Sequence, residues 1–331
     1  MERLGKGQQA KMSKPKVAIC WLGGCGGCDE AVVDLAHNLL DVASAVDIVL
    51  WPIALDFKYE SIENMDDNSI DLAIINGNVR NSDHQEIAHL LRRKSRLVMA
   101  FGACACLGGT PGLANLHANN DFMNWAYQDA PTVVNHKSVR PQAESTVNGH
   151  LLTLPALTNK VYALKDIVDV DYFLPGCCPP PDLILNAINN VLEGKLPLRG
   201  STLAPHRSLC DTCARNETKP ARIKIKKFKR IHEVEAKDDT CFLAQGILCL
   251  GPNTRTGCGE ACIDINLPCR GCFGATEEIG RDGAHFLSAI AGMIDANTDE
   301  DIEKAVNSVG DLAGYLYRFS LPLCPLDKKE G

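Results

Sequence analysis

The sequence predicts an α/β fold: a flavodoxin-like doubly wound parallel sheet, followed by a smaller, largely irregular domain with helices. The first half alternates short apolar runs with amphipathic helical segments, as in a parallel sheet covered on both faces. Near residue 200 this periodicity weakens, and eight of the 16 cysteines fall within residues 210–272. We expect a disordered N-terminal arm over 1–15, the flavodoxin-like domain over 16–195 and the second domain over 196–331.

Five strands and three helices are expected in the first domain. The strands are short apolar runs at Lys16–Leu22, Asp47–Trp51, Ile70–Ile75, Arg96–Phe101 and Val168–Leu174. The helices have apolar residues at helical spacing and cover Asp29–Ala45, Gln85–Arg93 and Asp182–Leu192. Residues 107–160 are loop-rich, and long loops in compact domains tend to be functional. Helical spacing returns at Thr276–Leu316.

Charge and hydropathy exclude several classes of protein. The net charge of −7 argues against general binding to nucleic acid. No apolar run approaches the roughly 18 residues that a membrane span needs. The N-terminal segment is polar and basic and has no apolar export signal, so the sequence predicts a cytoplasmic protein. In that compartment clustered cysteines bind metal or do redox chemistry more often than they form disulfides.

One set of cysteines follows the ends of three predicted strands. A CxxC pair comes directly after the first strand, and single cysteines follow the fourth and fifth strands: Cys25, Cys28, Cys104 and Cys177. Because the carboxyl ends of parallel strands share one edge of the sheet, these thiols should converge there. Four thiolates form the ligand set of a [4Fe–4S] cluster, whereas CxxC alone also fits a dithiol redox pair. Spacing does not decide between Cys104 and Cys106, or between Cys177 and Cys178.

Eight further cysteines form two more sets in the second domain. They are Cys210, Cys213, Cys241 and Cys249, then Cys258, Cys262, Cys269 and Cys272. This segment has little regular apolar pattern, so we expect bound inorganic centres rather than a conventional core to organise it. Zinc accepts the same four-cysteine sets, and the spacing leaves both metals open. The cluster predicted in the first domain favours iron–sulfur, because several centres in one chain can carry electrons singly.

Six motifs in order resemble the small subunit of [NiFe] hydrogenases. They are found at Trp21–Glu30, Phe101–Gly112, Leu174–Asp182, Leu209–Arg215, Cys241–Pro252 and Leu267–Cys272. The resemblance covers about residues 16–290 and is strongest to the cytoplasmic methyl-viologen-reducing and deazaflavin-reducing type. It implies an electron-relay subunit that passes electrons from H2 oxidation on a separate large subunit, which carries the nickel–iron centre. The acceptor would be a further iron–sulfur or flavin subunit.

The resemblance also implies three [4Fe–4S] clusters and their ligands. The proximal cluster would use Cys25, Cys28, Cys104 and Cys177, the distal cluster Cys210, Cys213, Cys241 and Cys249, and the medial cluster Cys258, Cys262, Cys269 and Cys272. Uptake hydrogenases have His-x2-Cys where this chain has Cys210-x2-Cys213, and His206 is interpreted as a surface residue. Uptake enzymes often have a three-cysteine medial site, to which Cys262 adds a fourth ligand here. Cys20, Cys106, Cys178 and Cys324 receive no role.

Two weaker signals have two interpretations each. Glu30 is either a proton-handling group at the subunit interface or an acid stabilised in the first turn of a helix, and no other residue of the chain is a catalytic candidate. Arg222–Arg230 is either a docking strand for an acidic acceptor subunit or a solvated edge strand.

Two alternative functions remain open on the sequence alone. One is a quinone-linked dehydrogenase subunit, whose members usually keep only the proximal cluster. The other is a zinc-stabilised interaction protein, which would use the same all-cysteine sets. The eight cysteines of Cys210–Cys272 argue against the first alternative.

Overall fold

The computed structural model describes residues 14–276 and 284–324. Its strands are β1 (Lys16–Trp21), β2 (Asp47–Leu50), β3 (Ile70–Asn76), β4 (Val79–Asn81), β5 (Ser95–Phe101), β6 (Glu144–Val147), β7 (His150–Thr153), β8 (Leu157–Tyr162), β9 (Tyr172–Leu174) and β10 (Ser201–Thr202). Its α-helices are α1 (Gly27–Val33), α2 (His37–Ala45), α3 (Tyr59–Glu63), α4 (Ser82–Lys94), α5 (Gly102–Leu107), α6 (Asn119–Asn124), α7 (Pro181–Leu192), α8 (Ala261–Asp264), α9 (Ala284–Ala291), α10 (Asp299–Asn307) and α11 (Leu312–Leu316).

Six strands form one parallel sheet in the order β10-β9-β5-β3-β1-β2. Counted along the chain, this is the order 2-1-3-4-5 of flavodoxin-like folds with a sixth strand at one edge. The predicted fold class is therefore confirmed. The strand order reverses between β1 and β3: β2 is added on one side of β1 and β3 on the other. Doubly wound folds bind ligands in the crevice at the carboxyl ends of the two strands that flank such a switch point.

Alternation along the strands gives the sheet one apolar core on each face. Val17 and Ile19 of β1 pack against one layer of helices, and Ala18 and Cys20 pack on the other face. Strand β3 is buried over almost its whole length, as expected for a central parallel strand. Asn81 caps the N-terminus of helix α4, and its side-chain Oδ1 accepts a hydrogen bond from the backbone N–H of His84 at 2.9 Å.

The second half of the chain has an apolar core of its own. It includes Phe228, Phe242, Leu248 and Tyr315, all buried. The expectation that this segment lacks a conventional core was therefore wrong. Its apolar residues come from irregular segments and short helices, which leave no periodic pattern in the sequence. The domain division at 195/196 stays a prediction, and β10 lies just beyond it.

Three local predictions were wrong. The single helix over Asp29–Ala45 is two helices, because Ala36 has a φ of 51° between α1 and α2. The fifth strand is only Tyr172–Leu174. The segment Arg222–Arg230 makes isolated bridges rather than a strand, since Ile225 and Phe228 turn into the second core.

The other sequence expectations have mixed outcomes. The loop-rich region 107–160 contains α6 and the strands β6 to β8. The predicted N-terminal arm lies outside the described residues except for its last two, and Thr276–Leu316 is described in part, as α9 to α11. Among the helices of residues 14–276 and 284–324, none combines the length and apolar character that a bilayer span requires.

Candidate metal centres

The first cysteine set converges at the carboxyl edge of the sheet. Cys25 follows β1, Cys28 lies on α1, Cys104 lies on α5 and Cys177 follows β9. Their thiols are close enough to interact electrostatically. The pKa values of Cys28, Cys104 and Cys177 are each raised in part by other thiols of the set. Burial, followed by the nearby Cys177 and Cys25 thiols, raises the pKa of Cys104 to about 11. The expected convergence of strand ends is therefore present.

Two glycines make room for this set. Gly102 has a φ of +84°, and a Cβ there would overlap the sulfur of Cys28. Gly109 has a φ of +68°, and a Cβ there would overlap the sulfur of Cys104. Both positions combine a left-handed backbone with close approach to a thiol, which only glycine allows. The backbone thus forms a cradle around the set.

The two neighbouring cysteines differ in their environments. Cys106 is buried, and its Sγ donates to the backbone carbonyl of Ala100 at 3.3 Å. Cys178 is exposed next to Cys177, and its thiol feels the charges of Asp34 and Cys25. Cys106 is therefore turned into the core behind the set, whereas Cys177 and Cys178 both remain at its open side.

A second set lines one cavity in the second half of the chain. The cavity has a volume of about 360 Å³, including its opening to solvent, and four of its lining residues are Cys210, Cys213, Cys241 and Cys249. Burial raises the pKa of Cys210 to about 12 despite the nearby Lys219. The backbone N–H of Gly251 donates to the Cys249 thiol. The four thiols therefore line one shared space.

The third set lies between the other two. Each thiol interacts with at least one other thiol of the set, which consists of Cys258, Cys262, Cys269 and Cys272. Burial raises the pKa of Cys269 to about 11 and that of Cys272 to about 12. The hydroxyl of Thr254 and the backbone N–H of Gly271 are hydrogen-bonded to the Cys269 thiol and oppose this rise.

Two backbone hydrogen bonds connect the three sets. The N–H of Cys177, in the first set, donates to the thiol of Cys272. The N–H of Cys269 donates to the thiol of Cys249, in the cavity set. The middle set therefore touches both of the others.

The residues of the three sets fit iron–sulfur clusters. All 16 cysteines lie within the described ranges, and none is in a disulfide. In the same part of the chain, no three His, Cys, Asp or Glu side chains are close enough to hold one metal ion. The four-cysteine cavity, the glycine cradle and the backbone N–H donors aimed at sulfur all suit clusters, whose ligands are thiolates with N–H donors around them.

Sequence reasoning missed two buried charged residues beside these sets. Asp29 is 3% exposed and follows Cys28, and Arg215 is 5% exposed in the wall of the cavity set. Their residue types gave no signal, because charged residues usually lie in water. The residues that were singled out are exposed: Glu30 lies in the first turn of α1, and His206 is at the surface as expected.

Comparison with known proteins adds a family to this geometry. A family model described as NADH ubiquinone oxidoreductase, 20 Kd subunit, matches residues 25–191. The iron-sulfur subunit of the F420-non-reducing hydrogenase of Archaeoglobus profundus is 38% identical over 318 residues, covering 95% of this chain and 98% of that protein. This chain belongs to the hydrogenase small-subunit family. It is a hydrogenase subunit, and these matches confirm the family resemblance that its six motifs indicated.

A second relative of this hydrogenase subunit has similar coverage, and a solved structure matches a shorter part of the chain. A subunit of the F420-non-reducing hydrogenase of Methanothermobacter marburgensis is 35% identical over 324 residues, covering 96% of this chain and 99% of that one. Among solved structures, a chain of an NAD+-reducing [NiFe]-hydrogenase in the H2-reduced state is 30% identical, with a TM-score of 0.48. That match covers 56% of this chain and 94% of the other.

Proposed function

We propose that this hydrogenase subunit is the electron-relay small subunit of a [NiFe] enzyme and holds three [4Fe–4S] clusters. The proximal cluster is assigned to Cys25, Cys28, Cys104 and Cys177, the medial cluster to Cys258, Cys262, Cys269 and Cys272, and the distal cluster to Cys210, Cys213, Cys241 and Cys249. The clusters supply one-electron redox chemistry, and the H2 chemistry takes place at a nickel–iron centre on a partner large subunit.

One observation carries this proposal: the three sets form a row joined by hydrogen bonds. Cys177 donates to Cys272, and Cys269 donates to Cys249. A relay requires an entry site, an exit site and a site that adjoins both. The medial set satisfies the last requirement, so the spatial order agrees with the order proximal, medial, distal.

Surrounding residues exclude water from two of the thiols and donate hydrogen bonds to them. Cys249 and Cys269 are buried, which keeps water from their sulfurs. Backbone N–H groups of Gly251 and Gly271 donate to these two sulfurs. Donors of this kind stabilise added negative charge, so they tune reduction potential. For the proximal set, the inward orientation of Cys106 supports Cys104 as the ligand.

Two partner surfaces follow from the row. We assign the large subunit to the proximal edge, where Cys25 and Cys177 are exposed. We assign region 107–160 to the same interface, because it follows Cys104 and its Trp125 and Leu151 are 59% and 63% exposed. An iron–sulfur or flavin acceptor subunit is assigned to the cavity end. The division into domains 16–195 and 196–331 separates the proximal site from the other two. We place the assembly in the cytoplasm and assign it no nucleic-acid partner.

A quinone-linked dehydrogenase subunit is the second candidate function. The family model that favours it matches residues 25–191 only. The eight cysteines at 210–272 lie beyond that match, and they form the two sets that such a subunit does not need. The relay therefore accounts for more of the chain.

Metal analysis of the anaerobically isolated native complex tests the proposal. Three clusters of four irons give about 12 iron and about 12 sulfide per chain, with brown colour that H2 bleaches. In Cys272→Ala, iron should fall by about four per chain, whereas Cys324→Ala should retain all of it. A colourless protein with about two zinc ions per chain would refute the proposal and support a zinc-stabilised interaction protein.

A further inference from the structure

We propose that two buried charges of opposite sign, Asp29 beside the proximal set and Arg215 beside the distal set, create a field that favours electron flow from proximal to distal. The inference rests on the proposed relay function and adds a direction to it. Outward flow is the direction of H2 oxidation.

Asp29 places a negative charge directly after the proximal-set residue Cys28, and this charge acts on the Cys20 thiol of β1. Its carboxylate accepts a hydrogen bond from Trp51 Nε1 at 2.9 Å and one from Asn76 Nδ2 at 2.8 Å. Both donors are neutral, and within the described residues no cation pairs with this carboxylate. Trp51 and Asn76 come from the ends of β2 and β3, so the sheet itself fixes Asp29 one residue after Cys28. The charge is thus built into the fold rather than left in solvent.

Arg215 places a positive charge in the wall of the distal cavity. Its guanidinium donates to the carbonyls of Lys237 at 2.8 Å and Thr240 at 3.3 Å, and to Oδ1 of Asn266 at 3.0 Å. It also stacks on Phe242, with 4.2 Å from Cζ to the ring centroid.

No carboxylate in the described part of the chain pairs with this guanidinium. The acid nearest in its hydrogen-bond network is Asp238, which is exposed and binds Asn266 instead. Burying an unpaired charge is costly, and the cost falls when a counter-charge is bound nearby. A four-thiolate iron–sulfur group is anionic and would occupy the cavity that Arg215 lines.

Two exposed charges near the sites, Asp34 and Lys219, have the same signs as the buried ones. At the proximal end the charge of Asp34 raises the pKa of the Cys178 thiol. At the distal end the charge of Lys219 lowers the pKa of the Cys210 thiol. Lys165 and Glu260 act in the opposite sense, but on Cys106 behind the proximal set and on Cys258 of the medial set. Among the side-chain charges that act on these two thiols, Asp34 at the proximal end is negative and Lys219 at the distal end is positive.

The direction of the effect follows from electrostatics. Reduction adds one negative charge to a site, so a nearby carboxylate disfavours it and a nearby guanidinium favours it. Interactions between buried charges are screened far less than those at the surface. Asp29 therefore makes the proximal site harder to reduce, and Arg215 makes the distal site easier to reduce.

The test is a potentiometric titration of each cluster, followed by electron paramagnetic resonance, in the native complex with Asp29→Asn or Arg215→Gln. Arg215→Gln should lower the distal reduction potential by about 59 mV, a tenfold change in the ratio of oxidised to reduced sites. Asp29→Asn should raise the proximal potential in the same measurement. Arg215→Lys keeps the charge and should restore the distal potential. The ratio of H2-oxidation to H2-evolution rates should fall in both neutral variants.

Exposed residues give a second pair of variants that does not disturb buried packing. Asp34→Asn and Lys219→Gln should shift the proximal and distal potentials in the same directions by smaller amounts, because water screens these charges. If the variants retain about 12 irons and their potentials are unchanged or shift in the opposite direction, the proposed field is refuted and the proposed relay function is not. An iron count near zero in the unmodified complex would instead refute the relay itself.

Discussion

The backbone N–H of Cys177 donates a hydrogen bond to the thiol of Cys272. The first residue follows a strand of the parallel sheet, and the second lies in the irregular, cysteine-rich half. This bond joins the two halves at two of the cysteine sets. It lowers the pKa of Cys272, although burial raises that pKa overall to about 12.

Cys104→Ala should remove about four irons per chain, because it removes one ligand of a four-cysteine cluster. Cys106→Ala is the matched control, since its thiol is buried and bonded to the Ala100 carbonyl. The control should retain all the iron in a colorimetric assay of the anaerobic complex. The opposite pattern would show that Cys106 is the ligand.

Thr254→Val should lower the reduction potential of the medial site. The hydroxyl that this change removes donates its single proton to the Leu250 carbonyl at 2.7 Å, and by turning that proton to the Cys269 sulfur it stabilises the thiolate and lowers its pKa. The free energy of unfolding should fall by about 1 kcal/mol, the usual value for one hydrogen bond. Thr254→Ser keeps the hydroxyl and should behave like the parent protein in both measurements. Equal potentials in the valine and serine variants would show that the hydroxyl does not tune the site.

Cys20 should resist alkylation in the folded complex. Burial raises the pKa of its thiol from 9.0 to about 12, and its Sγ lies 3.9 Å from the hydroxyl of Tyr59. Only the thiolate reacts, so at pH 9 the reactive fraction is about one thousandth instead of one half. Labelling should therefore rise about tenfold per pH unit between pH 9 and 11. Peptide mass spectrometry after iodoacetamide treatment measures this rate, and a plateau above pH 9 would mean an ordinary thiol.

Ala36→Gly should raise the free energy of unfolding by about 1 kcal/mol, since glycine adopts a positive φ without the strain of a Cβ. Ala36 has a φ of 51° between α1 and α2. Ala43→Gly, at an exposed position inside α2, is the control and should lower the free energy by about 1 kcal/mol. Thermal melts of the anaerobic complex give both values. A lower melting temperature for Ala36→Gly would contradict the backbone assignment.

Local sequence patterns predicted the parts of the fold that depend on periodicity. The strands β1, β3 and β5 are continuous apolar runs because both faces of the sheet are covered. Gly102 and Gly109 lie within the motif Phe101–Gly112 and closely approach the sulfurs of Cys28 and Cys104.

Features that depend on tertiary contacts escaped prediction. The break between α1 and α2 at Ala36 has no sequence signal, because no proline or glycine occurs there. Ile225 and Phe228 alternate with basic residues as in an edge strand, yet they fill a core whose other residues are distant in sequence. The burial of Asp29 depends on donors from two other strands, 22 and 47 residues away in the chain.

Anomalous diffraction at the iron absorption edge, from crystals of the anaerobic native complex, tests the central claim most directly. We expect three separate iron clusters in a row, each bounded by one cysteine set, with Cys177 and Cys272 facing each other between the first two. Iron missing from the site of Cys25, Cys28, Cys104 and Cys177, or zinc alone in the second half, would contradict the account.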